Sequence, residues 1–304
     1  MKIKKRTLKI IIVVILLIIA FFLIRPFFKA KDPYQFKGDK LYYSEKRGKP
    51  DFDMSLMAKN DTFDLYKVNF VSRNFLEYPT KIYGLLFMPH QEKNIPALVL
   101  LPGGGVNKEN EARVATIIVK MGYAVLTIDQ RGIGETDGNL LNMDDDFKVF
   151  AQGKEPIQHV SVYDALRTFD VLREIKGIVK NNIAMSGESM GGRYAMIATG
   201  IDKRIKGAVI ISSAGFHVPN DPAKPYTPYL LSIDPDHYIA DISPRPLFMF
   251  HGTNDTTVKL TDAQYTFSLA KEPKKFFIAQ DCHHGYCDAM KDDFEKSLRE
   301  LFGK

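Results

Sequence analysis

The chain has 304 residues, with 42 Lys and Arg against 36 Asp and Glu and a formal net charge of +6. Six of the basic residues fall within 1–28, where no acidic residue occurs, so the rest of the chain is formally neutral, 36 against 36. That balance excludes the basic face of a nucleic-acid binder, and with no repeat or low-complexity tract to divide it the body of the chain reads as one large domain.

Ile10 to Ile24 is an unbroken apolar run, preceded by Lys2, Lys4, Lys5, Arg6 and Lys9 and followed by Arg25. As a helix it covers roughly 22 Å at about 1.5 Å per residue. Leu8, Phe27 and Phe28 extend it toward the ~30 Å of a bilayer core if Lys9 and Arg25 snorkel. Ala20 and Ala30 each have a bulky residue two positions earlier, Ile18 and Phe28, which argues against signal cleavage. Residues 1–28 are therefore expected to be a signal anchor, a single pass through the cell membrane. The basic N-terminus stays cytoplasmic and the bulk of the chain lies outside. Residues 29–60, polar and broken by Pro33, Gly38, Gly48 and Pro50, read as a stalk, which starts the folded domain at 61 and runs it to 304.

DLYKVNFVSR (64–73) and TKIYGLLFMP (80–89) have the alternation and the β-branched and aromatic content of two strands, expected to pair as a hairpin. From Pro96 the pattern changes. PALVLLP is wholly apolar, GGG follows, and a helix is expected from about 109 to 121. Apolar runs without alternation suit strands covered on both faces, as in a parallel sheet. The unit recurs: YAVLTID (123–129), a helix from about 156 to 175, NNIAMSG (181–187) running into a helix near Ser189, and KGAVIISS (206–213). RPLFMFHG (245–252), a helix from about 261 to 270, KKFFIAQD (274–281) and a helix from 288 to 302 complete the series. This alternation predicts an α/β fold, a mostly parallel central sheet with helices on both faces, made mixed by the leading hairpin. Residues 137–155, with Asp144, Asp145 and Asp146 in succession, read as a solvated loop. Residues 214–244, with six prolines and Phe216, Tyr226, Tyr229 and Tyr238, read as a lid-like insertion.

GESMG, at 187–191, fits GxSxG between an apolar strand and a helix. In that setting the serine sits exposed on a sharp strand-to-helix turn and the glycines relieve crowding around it. Ser189 is the candidate nucleophile; a plain tight turn is the rival reading. A serine hydroxyl needs a base to take its proton and a carboxylate to orient that base. FMFHGTNDTTV puts Asp255 just beyond one later strand, and FFIAQDCHHGYCDAM puts His283 and His284 just beyond the last. His251 belongs at a strand end, and His159, His217 and His237 lie in no motif.

YAVLTIDQRGIGET, the GESMGG elbow, HGTNDTTV and the terminal HHG together resemble the α/β-hydrolase superfamily over about residues 64–302. Within it, the chain is similar to the branch of acetyl xylan esterases, dienelactone hydrolase-like enzymes and prolyl oligopeptidase catalytic domains. The resemblance implies a catalytic triad of Ser189, Asp255 and His284, the last chosen over His283 because glycine follows it, as in the family pattern. Asp129, Arg131, Gly132 and Gly134 match DxRGxG and are expected to be structural, Arg131 pinning loops. The oxyanion donors implied are the backbone N–H of Met190 and one from LPGGGV, Gly104 first and Gly105 next. Pro102 replaces the histidine that many of these esterases carry there. A phosphate cradle at GGG lacks the following GKS or GKT.

Cys282 and Cys287 bracket the histidines. Three readings stand side by side: a small disulfide loop, free thiols, and zinc, whose ligands would be crowded beyond ordinary spacing.

The expectation is a membrane-anchored serine hydrolase that cleaves small-molecule carboxylic esters, with no cofactor and no metal. A peptidase of the prolyl-oligopeptidase type has the same triad, but a stalk cannot supply the additional domain those enzymes use. A non-catalytic binding protein of the same fold is the alternative of another class.

Overall fold

The computed structural model describes residues 14, 32–76, 80–90, 93–221 and 223–303. Among these, no helix is long and apolar enough to cross a membrane. The expected anchor at 1–28 lies, apart from Val14, outside the described residues.

The strands are β1 (Tyr34–Lys37), β2 (Lys40–Tyr43), β3 (Phe52–Lys59), β4 (Phe63–Val71), β5 (Lys81–Pro89), β6 (Ile95–Leu101), β7 (Ala124–Ile128), β8 (Ile178–Glu188), β9 (Ala208–Ile211), β10 (Leu247–Gly252) and β11 (Lys274–Ala279). The helices are α1 (Ala112–Lys120), α2 (Met143–Ala151), α3 (Ile157–Leu172), α4 (Ser189–Ile201), α5 (Thr227–Ile233), α6 (Leu260–Leu269) and α7 (Lys291–Phe302). Among the described residues the main sheet runs β11-β10-β9-β8-β6-β7-β5-β4-β3. The pairings from β7 through β6, β8, β9 and β10 to β11 are parallel, and β5, β4 and β3 add an antiparallel flank.

β6 shows why the central strands lack alternation. Ala97, Val99 and Leu101 enter one core, with residues of α3 and α4, while Leu98 and Leu100 enter the other, with α1 and α7. Both faces are covered, so both sets of side chains are apolar. Because β8, β9, β10 and β11 are parallel, their carboxyl ends share one edge, and the loops leaving them converge there.

Two expectations about the polar segments are overturned. The stretch 29–60 is not a free stalk where it is described. β1 and β2 form a hairpin, Leu41 and Tyr43 are buried in the main core, and β3 is the edge strand of the large sheet. The Tyr238 hydroxyl donates to Ser232 O and accepts the Leu41 N–H, each at 2.8 Å. Arg47 is buried between Asp170 (2.7 Å) and Asp202 (2.6 Å). Composition suggested a linker because these contacts are polar and long-range. Nor is 137–155 wholly a solvated loop. Asn142 caps α2 by accepting the Asp145 N–H, and Asp146 is fully buried. Asp146 accepts the N–H groups of Ile157 and Gln158 and the Tyr229 hydroxyl. It thereby satisfies the orphan donors at the start of α3, whose own cap position is Pro156.

The insertion 214–244 contains α5 and two short 3-10 turns. Buried Asp234 shapes its start by accepting the N–H groups of Phe216 and Val218. His217 pairs with Asp236 at 2.6 Å inside it, and His159 joins Ser232 at 2.6 Å to Tyr34 at 3.2 Å.

Candidate active site

β8 ends in extended backbone at Glu188 (φ −104°, ψ 141°), and α4 begins at once with Ser189 at φ +51°. A non-glycine residue in the left-handed region costs of order 1–3 kcal/mol and persists where the surroundings over-determine it. Here the glycines do that by close approach. A Cβ on Gly191 would lie 2.2 Å from Leu101 O, and one on Gly187 would lie 2.5 Å from the Gly191 carbonyl carbon. The start of α4 is thus wedged against the end of β6, and Ser189 is turned out at the edge of the sheet.

Asp255 and His284 meet at that edge. His284 Nδ1 lies 2.8 Å from Asp255 Oδ2 and 3.0 Å from Oδ1. A carboxylate only accepts, so Nδ1 carries the hydrogen and Nε2 keeps its lone pair. Asp255 Oδ1 also accepts the N–H groups of Thr257 and Val258, each at 2.9 Å. Burial raises the pKa of Asp255, but the Val258 N–H, His284 and the Thr257 N–H outweigh it and hold the carboxyl below its ordinary value. His283 instead turns Nδ1 to Asn254 O at 3.3 Å and is exposed. His251, 1% exposed, donates from Nε2 to Val258 O at 2.8 Å, and burial lowers its pKa, so it is a neutral prop for the acid loop.

The loops carrying these residues are tied together. Ser212 Oγ accepts the Gly285 N–H at 2.9 Å, and Ser213 Oγ donates to Ser189 O at 2.7 Å, so the end of β9 bridges histidine loop and elbow. Asn254 N–H donates to Cys282 O at 2.9 Å. A Cβ on Gly252 would sit 2.2 Å from that same carbonyl oxygen, so only glycine lets the end of β10 pass so near the histidine loop. Cys282 and Cys287 form a disulfide across the loop, with Cα atoms 6.1 Å apart, which removes the thiol and zinc readings. Ser212, Ser213 and Gly252 escaped the sequence reading, their only signal being that they close strands on this edge.

The remaining candidates also lie here. The missing side chain of Gly103 faces Ser189 Cβ at 3.6 Å, and that of Gly104 faces the Met190 side chain at 3.5 Å. Pro102 O accepts from Gln130 Nε2 at 2.6 Å. Arg131, 1% exposed, binds Asp164, Thr80 Oγ1 and the Arg73 carbonyl, the pinning role expected of it. Asp129 accepts the backbone N–H groups of Lys108 and Glu135 and pairs with the Lys108 ammonium. Among the described residues there is no cluster of His, Cys, Asp and Glu suited to a metal ion.

Comparison with known proteins agrees with this architecture. A family model described as serine aminopeptidase, S33, matches residues 92–235. The uncharacterized protein YfhR of Escherichia coli O157:H7 is 25% identical over 268 residues, covering 78% of this chain and 88% of that one. The acetyl esterase Axe7A of Xylanibacter ruminicola is 22% identical over 256 residues, covering 74% of this chain and 56% of that one. The crystal structure of acetyl xylan esterase 1 from Thermoanaerobacterium sp. superposes with a TM-score of 0.68 at 15% identity, covering 84% of this chain and 89% of that one.

Proposed function

We propose that this chain, which has the α/β-hydrolase fold, is a serine hydrolase of small carboxylic esters, with Ser189 as nucleophile, His284 as base and Asp255 as its orienting carboxylate. The observation that carries the reading is the 2.8 Å contact of Asp255 with His284, on the sheet edge where Ser189 sits at φ +51°. Likeness to the acetyl esterase and the acetyl xylan esterase supports an ester over other substrates.

In this mechanism the Ser189 Oγ–H proton passes to His284 Nε2 as Oγ bonds to the ester carbonyl carbon. The oxyanion is met by the Met190 N–H and by an N–H of the 103–105 turn, Gly104 first, each such donor being worth roughly 2.7–4 kcal/mol in measured enzymes. His284 returns the proton to the departing alcohol oxygen, leaving an acyl-Ser189 ester. Water, deprotonated by the same imidazole, then releases the acid and restores the hydroxyl. Hydrolysis of p-nitrophenyl acetate, abolished in Ser189→Ala, tests the reading; a wild type without esterase activity removes it.

The description of the matching family model favours a second reading, an aminopeptidase. Aminoacyl p-nitroanilides assayed beside the acetate decide between them. Residues 1–28 are proposed to anchor the enzyme in the cell membrane with residues 32–303 outside, on the strength of the apolar run and its basic lead. Retention in the membrane fraction after a carbonate wash, with the domain digestible by external protease on whole cells, is the expected result. Release by the wash contradicts it.

A further inference from the structure

Glu188, immediately before Ser189, directs its carboxylate into the histidine loop. Oε1 accepts the Tyr286 N–H at 3.3 Å, and Oε2 lies 3.1 Å from the place a Cβ on Gly285 would occupy. Gly285 follows His284 directly and has φ +91°, so the loop bends there onto the carboxylate. We propose that Glu188 is a positioning residue of the triad: its ionised carboxylate braces residues 284–286 and favours the cationic imidazole that His284 becomes on taking the Ser189 proton. The proposal rests on the triad reading above.

The charged and titratable groups around this carboxylate determine its state. Arg113 comes from α1, His284 from the loop after β11, and Glu111 from the 3-10 turn Lys108–Glu111 that precedes α1. Also near the imidazole are Asp255, at its Nδ1, and the neutral His251. Burial holds the pKa of Glu188 above the ordinary carboxylate value, and the Tyr286 N–H, His284 and Arg113 offset only part of that rise. Glu111, 3% exposed and with no basic partner among the described residues, is pushed up to about 8 by burial and by Glu188. Of the two carboxylates, Glu188 is the one with an N–H donor and cations beside it. A negative charge beside an imidazole favours its protonated form and one removed disfavours it, which gives the proposal a signature that loop packing alone lacks.

The test compares full-length wild type, Glu188→Gln, Glu188→Asp and Glu111→Gln in p-nitrophenyl acetate hydrolysis from pH 5 to 9. Glu188→Gln keeps an acceptor for Tyr286 but no charge. It is expected to lower kcat about tenfold with KM within about twofold, and to move the acid limb of kcat/KM down by about half a pH unit or more. Glu188→Asp and Glu111→Gln are expected to keep the wild-type limb. An unmoved limb in Glu188→Gln, or an equal movement in Glu111→Gln, overturns the proposal. If Glu188→Gln does not fold, Glu188→Asp decides: a lower kcat with the limb retained supports it, and a limb at lower pH overturns it. A wild type that neither turns over ester nor reacts with a fluorophosphonate overturns the triad and this proposal together. An active wild type with an unmoved Glu188→Gln limb overturns this proposal alone.

Discussion

Asp255 holds His284 by Nδ1 at 2.8 Å, while the adjacent His283 spends its Nδ1 on the Asn254 carbonyl at 3.3 Å. Two neighbouring imidazoles therefore have opposite expectations. His284→Ala should lower kcat by at least about 10³-fold, and Asp255→Asn by about 10³–10⁴-fold through loss of the correct tautomer. His283→Ala should stay within a few-fold of wild type. Steady-state kinetics on the three variants checks this, and equal losses at 283 and 284 contradict it.

The disulfide closes a loop that contains His284. A cross-link over so few residues contributes about 2 kcal/mol in the chain-entropy account. The double variant Cys282→Ser/Cys287→Ser should melt several degrees lower. It should also lose kcat more than KM, because the freed loop carries His284 itself. Thermal melts and kinetics with and without reductant check both; unchanged kcat after complete reduction counts against a positioning role.

Glu111 gives a pH dependence with a definite sign. Its pKa is raised from 4.5 to about 8 in the folded state. Below about pH 4.5 both states are protonated and burial costs little. Between there and about pH 8 the unfolded chain ionises first, and native stability falls as pH rises. Glu111→Gln removes this loss. Its melting temperature should gain on wild type between about pH 4.5 and 8 and level off above. A difference independent of pH contradicts the assignment.

Arg47 ties the segment before the sheet to the domain. It is buried between Asp170 and Asp202, and its removal takes away the more deeply buried of the two arginines that pair with both carboxylates, leaving Arg204, a loss of about 3 kcal/mol. Arg47→Ala should show that loss in urea unfolding. A chain beginning at residue 61 should fail to fold where one beginning at residue 32 succeeds. A stable, active chain from residue 61 would restore the stalk.

Apart from α2 and α5, the order of strands and helices from 63 onward was legible because buried parallel strands announce themselves as apolar runs, β6 being the plainest. The elbow was legible because a left-handed serine wedged against β6 requires small neighbours at 187 and 191. Arg47, Asp146 and Tyr43 were not legible. Each is a polar residue buried by a partner more than ten positions away, and local composition presents them as solvated chain. Glu188 was hidden for a different reason: the motif leaves its position open, so its contact with Tyr286 is visible only once the loop after β11 has folded onto the elbow.

The claim on which the rest depends is that Ser189 is made nucleophilic by His284. Intact-mass and peptide analysis after treatment with a fluorophosphonate should find one adduct, on Ser189, that forms rapidly in the wild type and is lost in His284→Ala. A wild type left unmodified, or one modified at Ser189 equally fast without His284, contradicts it.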